Sequence, residues 1–110
     1  MTNSRRKGHN FERHMAVALR PLWPEAKRGQ QYVSGDEQPD VDGTIYWVEC
    51  KCGKRTNIKA AVKQATEATD GRPIVVISKN DREPILVTML YEDWYDLHKG
   101  RDKLLKKKED

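Results

Sequence analysis

The chain has 110 residues, 36% hydrophobic and 35% charged, with 21 Lys/Arg against 17 Asp/Glu and a formal net charge of +4. That allows one domain with a modest core, and no stretch approaches the roughly 20 apolar residues of a membrane span. The two cysteines, Cys50 and Cys52, are spaced for neither a disulfide framework nor a zinc knuckle, so Cys50 reads as a small buried apolar residue.

Met1 to Arg6 reads as a flexible basic arm. A helix is expected from about His9 to Leu22, because Phe11, Met15, Ala18, Leu19 and Leu22 recur at helical spacing. Pro21 limits it near Arg20. Glu12 sits at the edge of the apolar stripe and near the helix N-terminus, where a carboxylate is favoured. Arg13 is its neighbour on the exposed side. Ala26 to Val33 reads as a strand with Lys27, Arg28, Gln30 and Gln31 among its polar positions. Ser34 to Gln38 is a polar loop.

Pro39 to Lys51 reads as a β-hairpin. Asp42-Gly43 or Gly43-Thr44 supplies the turn, and Ile45, Tyr46, Trp47 and Val48 are strand formers. Strand parity puts Glu49 and Lys51 on one face with Ile45 and Trp47, and Cys50, Val48 and Tyr46 on the other. If Gly43-Thr44 forms the turn, Asp40 lies opposite Trp47 and Glu49 is its diagonal neighbour, roughly 7–8 Å away. With Asp42-Gly43, Asp40 faces Ile45 and Glu49 is too far along the strand for easy sharing. Two carboxylates sharing one metal ion therefore favour the first register. Such a pair with a lysine suits phosphodiester hydrolysis. Hard oxygen ligands select Mg²⁺, with Mn²⁺ able to substitute. The lysine can orient or deprotonate a water, or stabilise charge developing at phosphorus.

Cys52 to Thr56 is a basic loop containing Lys54 and Arg55. Asn57 or Thr56 caps a helix running to about Asp70, with Ile58, Ala61, Val62, Ala65 and Thr69 inward and Gly71 as its stop. Lys59 and Lys63 face out, and Gln64 borders the apolar face. Ile74 to Ile77 is a continuous β-branched run, expected to be a strand buried on both faces. Lys79 to Pro84 is a turn-rich loop, and Ile85 to Leu90 is a second buried strand. A short helix follows from Tyr91 to His98, with Trp94 and Leu97, and Tyr95 as a further candidate, inward. Gly100 ends or interrupts it, and residues 101–110 read as a frayed charged tail. The order is α-β-β-β-α-β-β-α: an α/β domain with a mixed sheet flanked by helices, spanning residues 1–110 without repeat or linker.

Charge is concentrated at the start, where residues 1–30 carry seven Lys/Arg against two Asp/Glu. Lys51, Lys54, Arg55, Lys59 and Lys63 form a second basic run. This distribution fits an anionic polymer better than a small acidic ligand. No Ser-His-Asp set, phosphate-cradling glycine loop or nucleotide fingerprint is present, and His9, His14 and His98 have no ligand spacing.

Pro39-Asp40 followed by Glu49-Cys50-Lys51 resembles the PD-(D/E)XK nuclease signature. Lys7-Gly8-x-x-x-Glu12-Arg13 resembles the opening helix of the archaeal and phage Holliday junction resolvases within that superfamily. The resemblance covers about residues 7–98 and implies a restriction-endonuclease-like fold and Mg²⁺-dependent endonuclease activity. It implies that Glu12, Asp40 and Glu49, with the backbone carbonyl of Cys50, hold the metal, and that Lys51 acts on the attacking water. It places Arg28 near the scissile phosphate and Gln64 in a supporting position. Arg5, Arg6, Lys7, Arg13, Lys54 and Arg55 would join Arg28 in binding DNA. A homodimer acting on four-way junctions is the family precedent, with Trp94, Tyr95 and the last strand as candidate contacts. A nickase or flap endonuclease of phage or mobile-element replication, and a DNA-binding module without catalysis, remain alternatives. The expected location is cytoplasmic, since the N-terminus lacks the apolar run of a secretory signal.

Overall fold

A computed structural model describes residues 2–30 and 37–109, with side chains over 5–30 and 37–100. The elements are α1 (Thr2–Ala18), β1 (Lys27–Arg28), β2 (Val41–Asp42), β3 (Trp47–Gly53), α2 (Ile58–Ala68), β4 (Ile74–Asn80), β5 (Ile85–Met89) and α3 (Tyr91–Glu109). This is the expected element order. The strands form one mixed sheet in the order β1-β2-β3-β4-β5. β3 and β4 run parallel, joined by α2, and the other neighbours are antiparallel. The architecture is therefore α/β, with a five-stranded mixed sheet and three helices.

Strand parity divides the core. Val41, Val48, Cys50, Val75 and Ile77 pack with Phe11, Met15 and Ala16 of α1. On the other face Trp47 and Ile74 pack with Ala65 of α2. The α2 helix forms as its pattern requires: the Asn57 side chain accepts the Ala60 N–H at its start, and Ala61 and Ala65 are buried. β4 is buried from Ile74 to Ser78, as a two-faced central strand should be.

Several local expectations are corrected. Helix α1 begins at Thr2, so Arg5 and Arg6 are helical and no loose arm precedes it among the described residues. Arginine and lysine are good helix formers. Lys7 is also tied by its side chain to Asp81 in the turn after β4. The helix ends at Ala18, and Leu22 and Trp23 turn back through N–H bonds to the Leu19 carbonyl. Ala16, not Ala18, completes the buried stripe, and Leu22 is exposed. Trp23 instead enters the core edge, meeting Tyr46 edge-on at 5.8 Å between ring centroids. β1 is only Lys27–Arg28: Ala26, Gly29 and Gln30 lie outside the strand, and residues 31–33 of the expected strand, with 34–36 of the expected loop, lie outside the described residues.

The hairpin has neither expected register. Val41 pairs with Val48, and β3 starts at Trp47, leaving Ile45 and Tyr46 in the connection. Side chains build this longer loop. The Thr44 hydroxyl accepts the Tyr46 N–H and donates to the Tyr46 carbonyl, and the Asp42 carboxylate accepts the Gly43 N–H. Gly43 has φ +82°, and a Cβ there would lie 2.1 Å from the Glu25 carbonyl oxygen, so glycine is required.

The last third differs most. β5 is an exposed edge strand, not a buried one: Ile85, Leu86 and Val87 face solvent. α3 continues through Gly100 to Glu109, so the expected tail is helical. Trp94, Tyr95 and Leu97 do not point inward; each is about half exposed. The apolar pattern of this region is real, but no described element covers it.

Candidate functional site

β2 begins only at Val41 because of what precedes it. Pro39 has no N–H to give a ladder, and Asp40 leaves the strand pattern. The Asp40 N–H donates to the Val48 carbonyl, although the ladder partner of Val48 is Val41. The Asp40 carbonyl accepts the Gly29 N–H, and its carboxylate accepts the Cys50 N–H at 2.8 Å. Main chain and side chain of Asp40 are thus both fixed. Gly29 makes this possible, since a Cβ there would sit 1.7 Å from the Pro39 carbonyl oxygen. Continuing the observed register brings Asp40 level with Glu49, closer than the diagonal arrangement expected.

Glu49 is buried in β3, one residue from Lys51, whose Nζ lies 3.9 Å from a Glu49 carboxylate oxygen. The Asp40 and Glu49 carboxyls are near enough for the charge of Asp40 to act on Glu49. Burial, reinforced by the charge of Asp40, pushes the Glu49 carboxyl up to about 7, while Lys51 pulls the other way. Asp40 is also raised, chiefly by burial, with the Cys50 N–H bond opposing and the charge of Glu12 adding. Burial is also the main reason the Cys50 thiol is pushed up, which makes that side chain an inert core group.

Glu12 reaches this region from α1, and its charge acts on both Asp40 and Glu49. It is 8% exposed and accepts the Arg28 Nε–H at 3.0 Å. Arg28 pairs with Val41 in the ladder and so shares the α1 face. Asp40 and Glu49 are adjacent acidic oxygen donors of the kind a hard divalent cation prefers. The third carboxylate is held by Arg28 instead. Among the described residues, no set of three or more His, Cys, Asp or Glu side chains converges closely enough to hold a metal ion.

The remaining residues fall into separate groups. Arg5, Arg6 and Arg13 line one shallow basic surface with His9 and Asn10, and Arg13 donates to the Asn10 side chain. Lys7 is engaged by Asp81. Lys54 and Arg55 are exposed in the loop after β3, and Gln64 is exposed on α2. Sequence reasoning missed Arg72. Its guanidinium lies 5.5 Å from the Trp47 ring centroid and bridges Asp42 and Asp70, pinning the hairpin to the end of α2. It also missed Asn80, whose side-chain oxygen accepts both the N–H and hydroxyl of Thr56 and fixes the basic loop. The contacts of Arg72 with Asp42 and Trp47, and of Asn80 with Thr56, are long-range and leave no local sequence signal. No described helix is long and apolar enough to cross a membrane. No family model, curated protein or solved structure matches the chain.

Proposed function

We propose that this protein is a Mg²⁺-dependent, structure-selective DNA endonuclease with a restriction-endonuclease-like fold, working in the cytoplasm on four-way junctions. The observation that carries the reading is the buried Asp40–Glu49 pair with Lys51 beside it. Two carboxyls pressed together at the cost of desolvation are a poor structural device, because burial raises the pKa of both and the charge of Asp40 raises Glu49 further. They are a good device for gripping a divalent cation. Asp40 and Glu49, with the Cys50 carbonyl, would hold Mg²⁺ or Mn²⁺. When bound, the ion neutralises phosphate charge and lowers the pKa of water.

The chain's own groups do the rest. Lys51 carries its ammonium at the mouth of the pair, where it can position the attacking water or meet charge developing on the phosphate. Arg28 supplies a guanidinium next to Glu12. Arg5, Arg6 and Arg13 give a helical basic surface, and α1 opens with no acidic residue to oppose them. Lys54 and Arg55 add a second basic group in the loop after β3. These groups recognise phosphates and not base edges, which supports selection by DNA shape. The uncovered β5–α3 surface supports a homodimer, in which twofold symmetry would set two sites on matching strands of a junction.

The test is cleavage of a synthetic four-way junction beside a flap, a nicked duplex and a linear duplex, all with Mg²⁺. Paired symmetric cuts confined to the junction are expected. Cutting of several branched forms would keep the nuclease and remove the junction preference. Tight binding with no cutting of any substrate would favour a DNA-binding module without catalysis.

A further inference from the structure

Glu12 and Arg28 form the one pair at this site whose bond conflicts with both roles the nuclease reading gives them. Glu12 is needed beside Asp40 and Glu49, and Arg28 is needed on a phosphate. Instead, Arg28 Nε–H donates to Glu12 at 3.0 Å. The Glu12 side chain is nearly buried and the Arg28 side chain is one-third exposed. A buried carboxylate cannot leave a guanidinium without another cation to replace it. An arginine at that exposure can be reached by an incoming anion, and no second acceptor among the described residues takes its remaining guanidinium N–H groups. Arg28 is also rigidly linked to the acidic pair, because the next residue, Gly29, bonds the Asp40 carbonyl.

We propose that Arg28 is a latch that couples DNA binding to completion of the cation site. In the free protein it holds Glu12 away from Asp40 and Glu49, leaving a two-carboxylate site. A DNA phosphate offers Arg28 a bidentate partner in place of a single Nε–H bond. Glu12, released and still buried, then gains by turning to a divalent cation with Asp40 and Glu49. DNA and cation therefore bind cooperatively, and each raises the affinity for the other by the same factor. The consequence is a nuclease that loads its cation tightly only on DNA. This inference rests on the nuclease reading above and names the regulation of that site.

The experiment is calorimetric titration of Mn²⁺ into the full chain without DNA, for the wild type, Arg28→Gln, Glu12→Gln and the double variant. Arg28→Gln should bind Mn²⁺ about 5-fold or more tightly than the wild type, the low end of typical coupling factors. The gain should vanish when Glu12→Gln is also present, because it passes through that carboxylate. An equal gain in both backgrounds would reduce Arg28 to simple charge repulsion and overturn the latch, as would no gain at all. In either case Mn²⁺ binding itself leaves the nuclease reading standing. No Mn²⁺ uptake by any variant would sink that reading and the latch together. Should Arg28→Gln not fold, Arg28→Lys keeps the charge but not the fork, and its Mn²⁺ affinity should shift in the same direction by less.

Discussion

Where β2 meets β3, Glu49 is 6% exposed and Asp40 9%, though both are carboxylates. At the β5 end Val87 is 64% exposed and Trp94 47%, though both are apolar. Each region inverts the ordinary preference of its residues. The acidic end is also tightly specified: Gly29, Cys50 and Val48 all bond Asp40 through the backbone. The apolar end is held by the ladder of β5 on β4, by Met89 against the core, and by aromatic contacts within α3, among them Tyr91 with Trp94 and Trp94 with His98. Carboxylates held together against their own desolvation suit a cation. Apolar groups on an open strand edge and an adjoining helix suit a partner surface.

Substitution at the acidic end should have the largest effect. Glu49→Ala and Asp40→Asn should each lower Mg²⁺-dependent cleavage by about a thousandfold or more, the scale of losing a transition-state contact. DNA affinity in a gel-shift assay should stay close to wild type. Parallel loss of binding and of the folded state would mean that the pair is structural. Next comes Gly29→Ala, which touches no carboxylate. Its Cβ has no room against Pro39, so Asp40 must move. We expect a loss of about 3 kcal/mol in urea unfolding, together with reduced cleavage. Normal stability and activity would show that Gly29 does not set the position of Asp40.

At the opposite end the expectation reverses. Val87→Lys should halve the mass seen by light scattering while leaving the melting temperature of the subunit nearly unchanged. An unaltered mass would remove β5 from the interface. The smallest effect belongs to the α1 surface. Arg5→Ala with Arg6→Ala should reduce the slope of log affinity against log salt by about 2, with stability untouched. An unchanged slope would take that surface out of DNA contact.

The contrast also explains what was legible in the sequence. Periodicity gave the order of the eight elements, and strand parity put Glu49 and Lys51 on one face and Cys50 in the core. Both follow from spacing alone. The hairpin register did not, because it depends on a Thr44 hydroxyl and on the closeness of Gly43 to Glu25, which no turn rule contains. The Glu12–Arg28 bond joins α1 to β1 and has no local signature. The exposure of β5 and α3 was misread for a different reason. An apolar run looks the same whether its own chain or another one covers it, so Ile85–Met89 reads as core from composition alone.

The most direct test of the acidic pair is a thermal melt with and without Mg²⁺ at two pH values. Glu49 is raised to about 7 in the folded protein, above its ordinary 4.5. The unfolded chain therefore releases this proton first as pH rises. The stability contributed by this group is fully present below about 4.5 and is lost on the way through 7. A cation that binds the ionised pair restores it. Mg²⁺ should raise the melting temperature clearly at pH 8 and hardly at pH 5, and Glu49→Gln should abolish the rise. A melting temperature indifferent to Mg²⁺ at both pH values would mean that Asp40 and Glu49 are not a cation site.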